Sequence, residues 1–206
     1  MSRPPVGGLP LRHATAWSRA TQHPFLEAVR DGTVTESAFD AWLVQDYRFV
    51  SDLLAFQGRL LARAPRRAQA VLAGGAIALV DELTWFEELA AAHQLDLSEP
   101  PKPETAAYLL LLRRLDDADV AVALTALWAI ERVYLDAWSF AAPGAPAYQV
   151  FVAHWTTQEF ATYVGDLEQA ADAMAARAAE PDVETAFRTI LDAESRFWAM
   201  ALRDQA

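Results

Sequence analysis

No stretch of this chain alternates apolar and polar residues at period two for long enough to make a strand, whereas apolar positions recur near the helical period of about 3.6 along most of its length. That pattern restricts the chain to helices packed on helices, because a helix with one apolar stripe must bury it against another element. Between 35 and 64 the residues Phe39, Trp42, Leu43, Phe49, Val50, Leu53, Leu54, Leu60 and Leu61 follow this spacing, and Pro65 closes the segment. A helix opens at His23-Pro24-Phe25, with Thr21 available as its cap, and Asp31-Gly32 stops it. Further helices are predicted over 11–20, 66–93, 104–115, 117–140, 147–155, 159–178 and 183–203, and 98–103 is the clearest loop. The predicted fold class is all-α: a flexible lead-in over 1–10, then a single-domain bundle of about eight helices over 11–206.

Seven Trp, ten Phe and five Tyr in a chain that is 53% hydrophobic are enough to fill one substantial core. The formal charge of -11 works against a nucleic-acid partner, since a phosphate backbone is bound chiefly by clustered Lys and Arg. The basic clusters at 63–67 and 113–114 read as solvated helix ends. With no cysteine, disulfides, thiolate metal sites and cysteine nucleophiles are all excluded. No uncharged apolar run reaches the roughly 18 residues of a membrane span, and residues 1–10 lack the basic start and apolar centre of a leader; a soluble cytoplasmic protein is expected.

Three carboxylates interrupt stretches that otherwise read as apolar, aromatic helix. Asp46 shares a helix face with Trp42, Phe49 and Val50; Glu131 lies between Trp128 and Tyr134-Leu135; Glu194 is followed by Phe197 and Trp198. A carboxylate removed from water must be paired, hydrogen-bonded or neutralised by a shifted pKa. Glu82, ahead of Trp85 and Phe86, is a fourth of the kind, and Tyr108 fits either the core or a hydroxyl reaching a pocket. Each acid, taken singly, also fits the polar edge of its helix or a partner for a neighbouring Arg. Together, acids among rings suit a flat, nitrogen-bearing heterocycle, on which rings stack and with whose amine a carboxylate pairs.

The histidines at 13, 23, 93 and 154 are scattered, and Glu88 with His93 is five apart where a helical metal motif needs three or four, so no metal and no cofactor is expected. His23 beside Pro24 reads as a capping or packing residue. There is no nucleophile elbow for Ser-His-Asp chemistry, and Gly74-Gly75 lacks the Lys and spacing of a phosphate loop.

His23-Pro24-Phe25 with Gly32 and Phe39, then Gln45-Asp46-Tyr47, then Trp128 through Tyr134, and finally Glu194 with Phe197 through Ala201, resemble the TenA/THI-4 family, the thiaminase II group of thiamin-salvage enzymes. The resemblance runs from about Trp17 to Ala201. It implies a haem-oxygenase-like all-α fold, a homodimer or homotetramer, and hydrolysis of an aminopyrimidine or formylaminopyrimidine to amino- or hydroxymethylpyrimidine. Carried over by position, Asp46 matches the family's pyrimidine-binding Asp, Phe49 an aromatic beside it, Tyr108 and Tyr134 its pocket tyrosines, and Glu194 its catalytic Glu. The cysteine nucleophile of the better known subgroup would fall at Ile130, so the chain resembles the cysteine-lacking E-type subgroup. The family's tyrosine after its Trp is also missing from the run between Trp155 and Glu159-Phe160.

The expected chemistry is therefore water attack with Glu194 and Glu131 as acid and base, Asp46, Phe49, Glu82, Tyr108 and Tyr134 holding the pyrimidine, and no nucleic-acid or membrane partner. Alternatives are a cofactorless oxidase similar to the one that finishes pyrroloquinoline quinone synthesis, and a pyrimidine-binding regulator without turnover. Helices over 103–140 carry outward apolar candidates, Leu110 to Leu112, for a subunit interface.

Overall fold

A computed structural model describes residues 5–175 and 179–203 and resolves the periodic segments into helices alone. After a 3-10 turn at Val6–Gly8 come α1 (Leu9–Arg12), α2 (Ala14–Thr21), α3 (Pro24–Asp31), α4 (Glu36–Arg63), α5 (Arg66–His93), α6 (Pro103–Leu115), α7 (Val120–Ala141), α8 (Gln149–His154), α9 (Gln158–Ala175) and α10 (Glu180–Arg203). Eight of these have eight residues or more, and no strand occurs among the described residues, which is the all-α bundle of about eight helices that the pattern predicts.

The longest elements form a hairpin. The α4 and α5 helices each run 28 residues, about 42 Å at 1.5 Å per residue. Thr35 starts α4 by accepting the Ala38 N–H at 3.3 Å, and Ala64-Pro65 turns the chain, because Pro forces its predecessor out of the helical region. The α7 helix is central. Nine successive residues from Ala123 to Glu131 are buried, as suits a helix apolar all round, and α2, α3, α4, α9 and α10 pack around it. Trp42 stands at the middle of the core, its ring 5.4 Å from Phe25, 5.4 Å from Trp138 and 5.6 Å from Trp198.

Several boundaries differ from expectation for local reasons. The lead-in is anchored in its second half: Val6 and Leu9 are buried in the core, and the Val6 N–H donates to Asp172 at 2.5 Å. His13, at φ -118° and ψ 36°, divides the predicted first helix into α1 and α2. Thr21 does not cap α3, because its hydroxyl donates back to the Trp17 carbonyl; His23 caps instead, its Nδ1 accepting the Phe25 N–H at 3.2 Å. Pro181 sits inside the first turn of α10, where its missing N–H costs nothing. Arg63 is no solvated helix end: its guanidinium donates to the Leu115 carbonyl at 2.9 Å and to that of Ala118. Of the predicted outward apolar set, Leu110 is exposed but Leu112 is core. No described helix is long and apolar enough to cross a membrane.

Candidate active site

Asp46 of α4, Glu82 of α5, and Glu131 and Tyr134 of α7 reach the wall of one cavity of about 940 Å³, together with Phe49 and with Trp155 at the end of α8. The helical repeat explains the convergence. Each acid occupies the inward stripe of its own helix, and α4, α5 and α7 present those stripes to the same space.

The carboxylates are deeply set. Asp46 is fully buried and Glu131 is 6% exposed. The Tyr134 hydroxyl donates to Asp46 Oδ2 at 2.8 Å, and the Trp155 indole N–H donates to Glu82 Oε1 at 2.7 Å. No described protein group hydrogen-bonds Asp46 Oδ1 or Glu131 Oε1. Burial, then the charge of Glu82, pushes Asp46 well above the usual carboxylate range, against the pull of the Tyr134 bond. Burial raises Glu82 to about 7 in spite of the Trp155 bond, and burial with the charges of Glu82 and Glu194 raises Glu131 to about 8. Near neutral pH such a set holds protons on some members and not on others, which acid–base chemistry needs.

Glu194 and Tyr108 stand one ring behind this wall. The Tyr108 hydroxyl donates to Glu194 Oε1 at 2.6 Å, and Phe49, which does line the cavity, packs on Tyr108 at 4.5 Å between centroids. Glu194 is 2% exposed, and burial raises its pKa to about 8 against the Tyr108 bond. Its charge is felt by Asp46, Glu131 and Tyr108, so it belongs to the same electrostatic cluster without touching the cavity.

Residues 11–204 match the TENA/THI-4/PQQC family. The chain belongs to that family. It is 30% identical over 205 residues to a soybean (Glycine max) protein described as a probable bifunctional TENA-E protein, covering 92% of this chain and 90% of that one. Among solved structures, a TenA homologue from Pyrococcus furiosus superposes with a TM-score of 0.89 at 28% identity, covering 95% of this chain and 98% of that chain. A Shewanella denitrificans domain of unknown function with a haem oxygenase-like fold superposes with a TM-score of 0.77 at 14% identity, over 99% and 94% of the two chains. The fold of this TENA/THI-4/PQQC member is thus the haem-oxygenase-like one.

Other features of this TENA/THI-4/PQQC protein come from contacts that the sequence pattern does not display. Ile130, at the position where the resemblance would put a nucleophilic cysteine, lines the cavity as an inert wall. Trp155 is both wall and donor to Glu82, and His154 lines the cavity stacked on Trp85 at 3.8 Å, its pKa lowered by burial. Tyr163 of α9 also lines it and bonds the fully buried Gln57. Gln57 was open to detection by the logic applied to the acids: it is a polar residue three turns beyond Asp46 on the same apolar stripe. Gly75, of the pair that makes no phosphate loop, lets Tyr163 approach α5, since a Cβ there would collide with the Tyr163 hydroxyl and the Gln57 amide. Outside the cavity, the start of α4 and the end of α5 bring Glu36, Asp40 and His93 together, with potential ligand atoms within 4.8 Å of one another and His93 Nδ1 3.4 Å from Asp40 Oδ1.

Proposed function

We propose that this protein is a thiamin-salvage hydrolase that acts on an aminopyrimidine or a formylaminopyrimidine to give hydroxymethyl- or aminomethylpyrimidine, the formylated form being preferred. The observation that carries this reading is that Asp46, Glu82 and Glu131, from three different helices, share the wall of one ring-lined cavity. Asp46, whose Oδ1 has no partner among the described residues and whose Oδ2 is fixed by Tyr134, pairs with the amine and ring nitrogen of the pyrimidine. Phe49, Tyr134 and Trp155 cover the ring faces.

Without a thiolate, water is the nucleophile. For a formylated substrate, one wall carboxylate takes a proton as the water oxygen bonds to the formyl carbon. The carbon–nitrogen bond then breaks, and a protonated partner supplies the proton to the departing amine, leaving formate and the aminomethylpyrimidine. Glu131 is the wall group that makes the transfer, its pKa raised by burial, then by the charges of Glu82 and Glu194; Glu194, one ring behind, holds the second buried proton. Incubating the purified protein with formylaminopyrimidine, aminopyrimidine and thiamin and resolving products by chromatography tests the reading. Turnover of the formylated or free aminopyrimidine supports it, and retention of all three compounds unchanged ends it.

A further inference from the structure

The cavity is much longer than a pyrimidine. Its wall follows α5 from Glu82 back to Arg67, fifteen residues or about 22 Å of helix, and α9 from Glu159 to Ala173. The acids that would hold the ring sit at one end of this trough. Tyr163 stands part-way along, against Gly75, which is seven residues or about 10 Å from Glu82.

The hydrogen-bond polarity at Tyr163 is fixed by its neighbours. The Leu72 carbonyl can only accept, so the Gln57 atom 2.8 Å from it must be the amide NH₂. Gln57 therefore turns its carbonyl oxygen to Tyr163 at 3.3 Å, and the Tyr163 hydroxyl must donate to it. What the hydroxyl has left for the trough is a lone pair. Glu159 and Asp166 of α9 line the wall on either side of Tyr163, and Arg67, at the far end, donates to the Ala173 carbonyl at 2.9 Å and to the Met174 sulfur. Around Tyr163 the trough thus offers a hydrogen-bond acceptor between two carboxylates, Glu159 and Asp166, which suits a donor that carries positive charge.

We propose that this half of the trough receives the acyl side of the substrate, and that Tyr163 selects a hydrogen-bond donor there, so that the substrate class extends to aminomethylpyrimidines N-acylated by short aminoacyl groups. The inference rests on the hydrolase reading above. The reaction is the same amide hydrolysis: the water oxygen bonds to the acyl carbon, the carbon–nitrogen bond breaks, the nitrogen takes the proton, and the products are the aminomethylpyrimidine and a free amino acid.

Three amides of aminomethylpyrimidine test it: formyl, glycyl, and propionyl, which matches glycyl in size but carries a methyl in place of the ammonium. The wild-type protein is expected to hydrolyse the glycyl amide with a kcat/KM at least about tenfold above that of the propionyl amide, the size of one hydrogen bond to a charged group. Tyr163→Phe, which keeps the ring and deletes the lone pair, should level that preference through KM, read as the ratio of glycyl to propionyl kcat/KM within the variant. Gly75→Ala, which displaces the Tyr163 hydroxyl, should level it as well. If the wild type hydrolyses the formyl amide but shows no glycyl preference, or if Tyr163→Phe keeps the preference, the subsite is overturned while the hydrolase reading stands. Failure of the wild type on all three amides overturns both.

Discussion

Asp46 and Glu131 each bury a carboxylate oxygen that no described protein group satisfies, which costs stability. Glu131→Gln is expected to lower turnover of formylaminopyrimidine by about 10²–10⁴, the range for a positioned acid or base. The same variant should raise the melting temperature at alkaline pH. The sign follows from the folded pKa of about 8 against an ordinary 4.5: between these values the unfolded chain releases a proton that the folded chain keeps, so Glu131 weakens stability as pH rises. On the proposed hydrolase reading, in which Asp46 pairs with the ring amine and Glu131 moves the proton, Asp46→Asn should raise KM with a smaller effect on kcat. Trp155→Phe deletes the N–H that holds the Glu82 pKa down, and the acidic limb of the pH–rate profile should move to higher pH. The acids were legible in the sequence because charge among rings is conspicuous. Tyr163 and Trp155 were not, since an aromatic residue on an apolar stripe reads as core until the fold brings it to a cavity wall.

At the level of single helices, α7 matters most, because it alone carries both Glu131 and Tyr134. Asp119 caps it, accepting the Ala121 N–H at 2.8 Å, and Asp119→Ala is expected to cost about 1 kcal/mol in urea unfolding without changing the pH–rate profile. Gly32 ends α3 at φ +73°, where a Cβ would also meet that of Ala145 at 2.9 Å. Gly32→Ala should therefore cost about 1–2 kcal/mol from backbone strain, with the contact adding to it. Helix ends of this kind were readable because Gly, Pro and capping side chains act within one turn. The division at His13 was not, because nothing in the residues around it breaks a helix; its ring packs on Phe187 of α10, at 5.8 Å, and only the folded chain supplies that neighbour. The cap that Arg63 places on the α6 end is likewise invisible locally, its acceptors lying more than fifty positions away.

For the molecule as a whole, Glu82, Glu131 and Glu194 all hold protons more tightly than an ordinary Glu, so overall stability should decline as pH rises from about 4.5 through about 8. Calorimetric scans at pH 5.5 and 8.5 measure this, and the Gln variants at these positions should flatten the slope. All-α architecture followed from periodicity alone, as did the acids as site candidates, but the cavity did not. It opens between α5 and α9, and their mutual placement depends on how the whole bundle packs around α7. The ring lattice behind that cavity gives the protein a built-in optical probe. Trp155 bonds the site carboxylate Glu82 and lies 4.4 Å from Trp138, which in turn adjoins Trp42 and Trp198. Excitation absorbed in this indole array can pass to and from Trp155 at the cavity wall, so that occupancy of the site should be readable as a change in native fluorescence, with no label attached.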